Sequence, residues 1–346
     1  MRRRVPTGEY VEALARELAI RVPERSSREV ESIYLGGGTP SLLGPEGVTQ
    51  VIDLVSDRFP TRSGAEVTVE VNPDDVSEAA VAAWRSAGVN RVSLGVQSFD
   101  DRALAWMHRT HNADTATRAA RTIRDGGISN WSLDLIFSLP PELQRSWERD
   151  VAEAIALDPS HISLYGLTIE PHTPVARWRE RGTPVEAPEE SYELEYLHAH
   201  RALSAAGFEH YEVSNFGRPN HRSRHNGSYW AGASYVGLGP AAHGFDGAER
   251  RWNEREYAAW VRRLCAGEDP VAGTETLTPE NQISEQVYLG LRTSNGLAID
   301  NAEEGHVRRW IETGWADLHA GRLRLTPHGW LRLDALATSL TMLRSR

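Results

Sequence analysis

The sequence contains one cysteine and no lysine. Because Cys265 is alone among the 346 residues, the chain by itself can form neither an internal disulfide nor a cysteine-based zinc or iron–sulfur site. Without lysine it has no lysine Schiff base and no Walker-type phosphate lysine. Cys265 follows a stretch of helical pattern, 257–264, and we expect it to be a small, buried, inert thiol.

Long apolar runs and excess positive charge are also absent. No apolar stretch approaches the roughly 20 residues of a membrane-spanning helix. The basic residues 1–4 are not followed by the apolar core of a signal peptide. We therefore expect a cytoplasmic protein that does not span a membrane. The net charge of −10 argues against general nucleic-acid binding.

The first half of the chain alternates between short β-branched runs and amphipathic stretches of helical period. Strands are predicted at 32–35, 66–71, 91–96, 131–137 and 161–169, and helices at 8–22, around 48–55, and at 77–87, 102–107, 113–124 and 147–157. Such alternation implies an α/β fold with a parallel sheet, either a barrel or an open doubly wound sheet. The series opens with a helix, so the first strand of a barrel is missing and one sheet edge is unpaired.

Three regions are predicted along the chain. Residues 1–175 form an N-terminally truncated (β/α) barrel core, 176–275 an α/β extension, and 276–346 a small helical or winged-helix-like domain. The later elements include a helix at 188–206, a strand at 211–216 and a hairpin-like stretch at 316–326. A winged helix could indicate DNA binding, but the acidic total favours packing or partner docking.

Polar and glycine residues collect at the carboxyl ends of the predicted strands, the face that carries the active site in α/β barrels. Gly36-Gly37-Gly38-Thr39-Pro40 follows the first strand, and glycines there either admit a ligand to the backbone or make a tight turn. Glu70, Gln97 and Asp134 occupy matching places on the next strands. Each alone could be a structural hydrogen-bonding residue, but together they predict one site at the barrel mouth. Arg109 would supply a cation for a carboxylate ligand, unless it is a solvated helix residue.

These motifs resemble the HemN/HemW-like branch of the radical SAM enzymes. The resemblance rests on GGGTPS at 36–41, EVNP at 70–73, SLGVQSF at 93–99, DLI at 134–136 and TIEP at 168–171. The motifs YEVSNF at 211–216 and HNGSYW at 225–230 point to the HemW-type heme chaperones in particular. The resemblance covers essentially the whole chain and implies a partial (β/α)6 TIM-like barrel.

The resemblance also implies cofactors. Radical SAM proteins bind S-adenosylmethionine across the strand ends, and by resemblance the contacting residues would be Gly37, Gly38, Thr39, Glu70, Gln97, Arg109 and Asp134. Family members also carry a C-x-x-x-C-x-x-C run that holds a [4Fe–4S] cluster, and this run is absent here. Either the start of the chain has been assigned too far downstream, or the protein is a natural cluster-free paralogue.

Heme is the second ligand that the resemblance implies. In heme-chaperone relatives the HNGSYW motif is associated with heme, and His225 is the candidate iron ligand because a neutral imidazole ligates heme iron. Arg222 and Arg224 could pair with propionates, and Tyr229 and Trp230 could face the porphyrin. The alternative is that His225 hydrogen-bonds within a loop under the barrel. His243 is a weaker candidate.

Three functions remain open on the sequence. The first is a heme chaperone whose partners are heme and heme-acceptor proteins, one of which could be membrane-bound. The second is an oxygen-independent coproporphyrinogen III oxidase, and the third is a cluster-free protein that only binds ligand or partner. The HNGSYW motif favours the chaperone.

The cysteine content gives a direct prediction. We expect the purified chain to develop no iron–sulfur absorption after incubation with iron and sulfide, because one thiol cannot hold a four-iron cluster. Absorption and electron paramagnetic resonance spectra measure this. A four-iron spectrum from this chain would contradict the prediction.

Overall fold

A seven-stranded, curled half-barrel sheet forms the centre of the protein, in a computed structural model that describes residues 6–169, 181–182 and 186–345. Its strands are β1 (Val30–Leu35), β2 (Thr61–Val71), β3 (Arg91–Gln97), β4 (Trp131–Phe137), β5 (His161–Gly166), β6 (Glu209–Glu212) and β7 (Asn215–Gly217). The spatial order is β1-β2-β3-β4-β5-β7-β6, with β1 to β5 parallel and β6 and β7 antiparallel. The predicted α/β half-barrel is confirmed.

Helices flank this sheet, most of them on its outer face. Between residues 7 and 265 they are α1 (Thr7–Arg21), α2 (Gly44–Arg58), α3 (Glu78–Ser86), α4 (Asp101–Trp106), α5 (Ala113–Asp125), α6 (Trp147–Ala156), α7 (Glu189–Ala205), α8 (Arg224–Trp230) and α9 (Tyr257–Cys265). Several of these helices follow an N-cap residue whose side chain accepts a hydrogen bond from a backbone N–H of the first turn. Examples are Ser77, Asn112 and Ser146.

The two faces of the strands differ in polarity. Alternate residues of the parallel strands belong to the buried core against the helices, and they include Ile33, Leu35, Val67, Val69, Val71, Val92, Leu94, Val96, Leu133, Leu135, Phe137, Ile162 and Leu164. The residues between them are largely polar: Ser32, Tyr34, Glu66, Thr68, Glu70, Arg91, Ser93, Ser132, Asp134, His161, Ser163 and Tyr165. Because side chains alternate along a strand, these polar groups share the inner face of the half-barrel.

Two smaller sheets follow. The first contains β8 (His243–Phe245), β9 (Glu249–Asn253) and β10 (Val271–Thr276), and the second contains β11 (Leu297–Ala298), β12 (Ala316–His319) and β13 (Arg322–Leu325). The second sheet is accompanied by α10 (Pro279–Arg292), α11 (Asn301–Glu312), α12 (Pro327–Trp330) and α13 (Leu333–Arg344). The predicted hairpin at 316–326 is confirmed as β12 and β13.

Three details differ from the predictions. The predicted strand 211–216 is a tight hairpin of β6 and β7, because the chain reverses at residues 213–214. Cys265 is exposed rather than buried. Trp260 and Leu264 lie on the face of α9 that packs against α1 in a hydrophobic core. Cys265, the next residue along the helix, points away from that core. The end of the predicted strand 161–169 lies beyond β5, which stops at Gly166.

Helix α1 is fixed to the first small sheet by a buried carboxylate. Glu17 is fully buried, and it accepts hydrogen bonds from the Gly239 N–H (2.9 Å), the Asn253 amide (2.7 Å) and the Trp260 indole (3.1 Å). Its Oε1 also lies 2.8 Å from Arg21 Nη1. Together these groups satisfy a charge that would otherwise be costly to bury.

No helix among the described residues is both long and apolar enough to pass through a membrane.

Replacing Glu17 with Ala should lower the free energy of unfolding by about 3–5 kcal/mol, because Arg21 loses the nearer of its two carboxylate partners and three buried N–H groups lose their acceptor. Urea unfolding followed by far-UV circular dichroism measures this change. Helix α1 offers a matched control in Glu12, which forms the same kind of pair with Arg16 but in solvent. Glu12→Ala should leave the unfolding midpoint nearly unchanged, and equal effects of the two substitutions would contradict the assignment.

Candidate functional site

A cavity opens at the carboxyl ends of β1 to β4. It is lined by Gly38, Thr39, Pro40, Glu70, Val71, Asn72, Ser93, Gly95, Gln97, Arg109 and Asp134. Six of the seven residues predicted for this site are therefore lining residues. The seventh, Gly37, lies at its edge, where its N–H donates to Glu70 Oε2 at 3.1 Å.

The glycine turn after β1 needs glycine for backbone reasons. Gly37 and Gly38 have φ of +76° and +59°, the left-handed region that side chains disfavour. A Cβ at either position would meet no atom within 4 Å, so this side of the turn faces open space. The turn can therefore present its backbone closely to a ligand.

Glu70 is the carboxylate on the β2 side of the cavity. Its Oε1 accepts a hydrogen bond from the Tyr34 hydroxyl at 2.6 Å, and its Oε2 accepts the one from Gly37. Tyr34 lies two positions before Gly36 on the inner face of β1. Residues at the end of β1 thus fix the orientation of the carboxylate on β2.

Asp134, on β4, is the second carboxylate. Burial raises its pKa to about 6, against the hydrogen bonds from Ser93 and Ser163, and the nearby charge of Glu70 raises it further. Ser93 Oγ lies 2.9 Å and 3.1 Å from the two carboxylate oxygens. The two carboxylates make a pocket suited to cationic and hydroxyl groups of a ligand.

Gln97 and Arg109 complete the wall of the cavity. Gln97 ends β3 with φ of +71°, an uncommon conformation for a residue other than glycine that often occurs at functional sites. Arg109 lies in the loop after α4 and not on a helix, so the alternative of a solvated helix residue is wrong. Burial lowers the pKa of its guanidinium, and Asp134 opposes that shift.

The segment HNGSYW forms the short helix α8, which lies against β1. Glu66, buried on β2, accepts hydrogen bonds at the start of this helix from Ser223 Oγ (3.3 Å), the Arg224 N–H (3.1 Å) and the His225 N–H (3.0 Å). A carboxylate at a helix N-terminus is favourable because the free N–H groups and the helix dipole point at it. The alternative interpretation, which placed His225 in a loop, is wrong in that respect, because the segment is a helix with a buried anchor.

His225 is half-buried within a cluster of polar and aromatic groups. Its Nδ1 lies 2.9 Å from Ser32 Oγ, and its Nε2 lies 3.2 Å from the Tyr229 hydroxyl. Its ring stacks on that of Tyr34 with a centroid distance of 4.6 Å and an interplanar angle of 12°. Burial lowers the pKa of His225, with Glu66 opposing, so the imidazole is held neutral at physiological pH.

The other candidates for heme contact are arranged differently. Arg222 pairs with Glu209 at 3.1 Å on the surface, and Arg224 donates to the Gly64 carbonyl. Trp230 lies under the guanidinium of Arg292, 4.2 Å from its ring centroid. His243 is exposed on β8.

Comparison with known proteins now gives the family. The sequence is 36% identical to the heme chaperone HemW of Mycobacterium tuberculosis over 339 residues, which cover 97% of this chain and 87% of that protein. It is 35% identical to the heme chaperone HemW of a Synechocystis species over 324 residues, which cover 88% and 78%. This chain belongs to the HemW family.

Two further findings agree with that membership. Residues 2–154 match the model of the radical SAM superfamily. The crystallised radical SAM enzyme HemN of Escherichia coli, a coproporphyrinogen III oxidase, superposes with a TM-score of 0.80, over 99% of this chain and 84% of that one. HemN is 20% identical to this chain, so the likeness is one of fold.

The radical SAM superfamily implies a [4Fe–4S] cluster and S-adenosylmethionine, and the residues of this chain fit only the second. The sole cysteine, Cys265, is on α9, and the described residues hold no group of three His, Cys, Asp or Glu side chains arranged for a metal. The strand-end cavity does suit S-adenosylmethionine. It offers carboxylates to an ammonium and ribose hydroxyls, and Arg109 to a carboxylate.

Tyr34 and Glu66 were missed as functional residues by the sequence predictions. Both lie on the inner face of the half-barrel and contact the residues predicted for the site. The signal was available in the two-residue periodicity of polar side chains along each strand, as in Glu66, Thr68 and Glu70.

The raised pKa of Asp134 gives a pH-dependent prediction. The ionised form of Asp134 is disfavoured in the folded state, so its ionisation lowers the free energy of unfolding. This loss of stability is complete above pH 6 and decreases as the pH falls toward the ordinary pKa of aspartate. Asp134→Asn should therefore raise the free energy of unfolding by about 1–3 kcal/mol at pH 8, with a smaller gain at pH 5. Urea unfolding at the two pH values measures this. The exposed Asp125→Asn is the control, and a destabilised Asp134→Asn protein at pH 8 would contradict the assignment.

Proposed function

We propose that this protein is a heme chaperone, which binds heme through His225 and passes it to acceptor proteins. The observation that carries the proposal is the fixed imidazole of His225 within the HNGSYW helix. Family membership supports it, since the HemW relatives are named as heme chaperones.

The hydrogen bonds of His225 favour Nε2 as the nitrogen that would ligate iron. Nδ1 faces Ser32 on the barrel strand β1, whereas Nε2 faces Tyr229 of the same short helix. When Nδ1–H donates to Ser32, Nε2 carries the free lone pair that a metal requires. Heme iron would then replace the Tyr229 hydroxyl at Nε2.

The surroundings of His225 suit a porphyrin. Tyr229 and Tyr235 meet edge to face at 4.7 Å, so an aromatic wall continues from the helix to the next loop. Arg222 is paired with Glu209 where both are solvent-exposed, and such pairs are weak enough to exchange for a propionate. Tyr229 would have to move aside when heme enters.

We propose the strand-end cavity as the S-adenosylmethionine site, with contacts from Gly37, Gly38, Thr39, Glu70, Gln97, Arg109 and Asp134. The two carboxylates would hold the ammonium and ribose ends of the molecule, and Arg109 its carboxylate. Heme binding at His225 requires no cluster, so it can be tested on this chain directly. Coproporphyrinogen oxidation remains the weaker candidate, since only the fold likeness to HemN favours it.

Replacing His225 with Ala should weaken heme binding at least tenfold and change the Soret band, because the iron loses its axial ligand. Titration of the protein with hemin measures the affinity. Transfer of heme from the loaded protein to apomyoglobin measures its release, which should be faster for the variant.

The matched control is His243→Ala, a histidine that lies on β8 and stacks against Trp252. It should bind heme as the unaltered protein does. An unchanged titration for His225→Ala would overturn the ligand assignment, and heme that binds but is never released to an acceptor would favour a ligand-binding protein over a chaperone.

A further inference from the structure

Tyr34 lies between the two proposed sites and contacts both. Its hydroxyl donates to Glu70 Oε1 at 2.6 Å in the wall of the strand-end cavity. Its ring stacks on His225 at 4.6 Å. One rigid side chain therefore spans the distance from the cavity carboxylate to the proposed iron ligand.

The Tyr34 ring is also confined by the backbone. A Cβ at Gly36 would lie 2.2 Å from Tyr34 Cε1 and 2.9 Å from Glu70 Oε1, so only glycine leaves room for the ring and the carboxylate together. With the glycine turn on one side and the imidazole on the other, the ring cannot shift without moving one of its neighbours.

We propose that Tyr34 couples occupancy of the strand-end cavity to heme binding at His225. The proposal rests on the proposed function and makes Tyr34 a positioning residue: it acts on the heme through His225. A ligand that pairs with Glu70 changes the partner of the Tyr34 hydroxyl, and the stacked imidazole responds.

The hydrogen bonds of Glu70 give the coupling a direct route. Oε1 accepts from Tyr34 and Oε2 from the Gly37 N–H, so a cationic or hydroxyl group that binds this carboxylate shares an oxygen with one of them. Burial and the charge of Glu70 keep the pKa of Tyr34 far above neutrality, so the phenol remains a donor. Loss of its acceptor would leave a half-buried hydroxyl to find a new partner.

Glu31 supplies a control on the same strand as Tyr34. It pairs with Arg62 where both side chains are exposed, outside the residues of both proposed sites. Glu31→Gln therefore removes a carboxylate charge, as Glu70→Gln does, and leaves the Tyr34–Glu70 hydrogen bond in place.

The first experiment is a hemin titration of the intact chain and of four variants, with urea unfolding as a check on folding. Glu70→Gln and Tyr34→Phe should each shift the heme affinity by about fivefold or more and move the Soret band. The double variant should show no more than either single change, because the two side chains act as one unit. Glu31→Gln should stay within about twofold of the unaltered protein.

The second experiment uses S-adenosylmethionine as the cavity ligand, with its binding followed by calorimetry. Saturation should shift the heme affinity of the unaltered protein by about fivefold or more, and Tyr34→Phe should abolish the shift. By thermodynamic reciprocity, heme should shift the affinity for S-adenosylmethionine by the same factor.

Failures of the two proposals are distinguishable. If His225→Ala binds heme normally, the heme-ligand assignment fails and the coupling with it. If His225→Ala weakens binding but Glu70→Gln behaves like Glu31→Gln, only the coupling is overturned. The coupling is also overturned if S-adenosylmethionine leaves the heme affinity of the unaltered protein unchanged, whether or not it binds.

Discussion

The buried carboxylate of Glu66 fixes the arrangement of the whole site. It is 3% exposed, and without partners its charge would be expensive to bury. The N-terminus of α8 supplies those partners, and in return the helix is held against the inner face of the half-barrel. This single anchor brings His225 onto Tyr34, and Tyr34 connects it to Glu70 and the cavity.

The strand-end cavity and helix α8 therefore share one polar surface. The inner face of the half-barrel carries the groups that would bind S-adenosylmethionine at the strand ends and the groups that hold His225 farther down the same strands. On β1, Ser32 contacts His225, and the next inner-facing residue, Tyr34, donates to Glu70. On β2, Glu66 anchors α8, and Glu70, two inner-facing positions farther along, lines the cavity. The two proposed sites are neighbours because the periodicity of a strand is two residues.

Local sequence patterns were sufficient to predict the parallel strands and the cavity. The β-branched runs gave β1 to β5, and equivalent strand ends of a parallel sheet must meet, so Glu70, Gln97 and Asp134 could be grouped in advance. Helix α8 could not be predicted in this way. It has seven residues, too few for stability alone, and its anchor Glu66 lies 158 residues before Arg224 in the chain. The hairpin of β6 and β7 was missed because a two-residue reversal leaves little trace in periodicity.

Helix α8 is held at its far end as well. Arg292, the last residue of α10, stacks over Trp230 and lies 2.9 Å from the buried carboxylate of Glu212 on β6. The HNGSYW segment is thus held between the barrel and the C-terminal helices, although nearly fifty residues separate Trp230 from the start of α10. A fragment that ended after the small β8–β10 sheet would keep every residue of HNGSYW. It would lose the contact between Trp230 and Arg292. The smallest unit able to present His225 in this geometry therefore includes the C-terminal helices, whatever boundary the sequence suggests between them and the barrel.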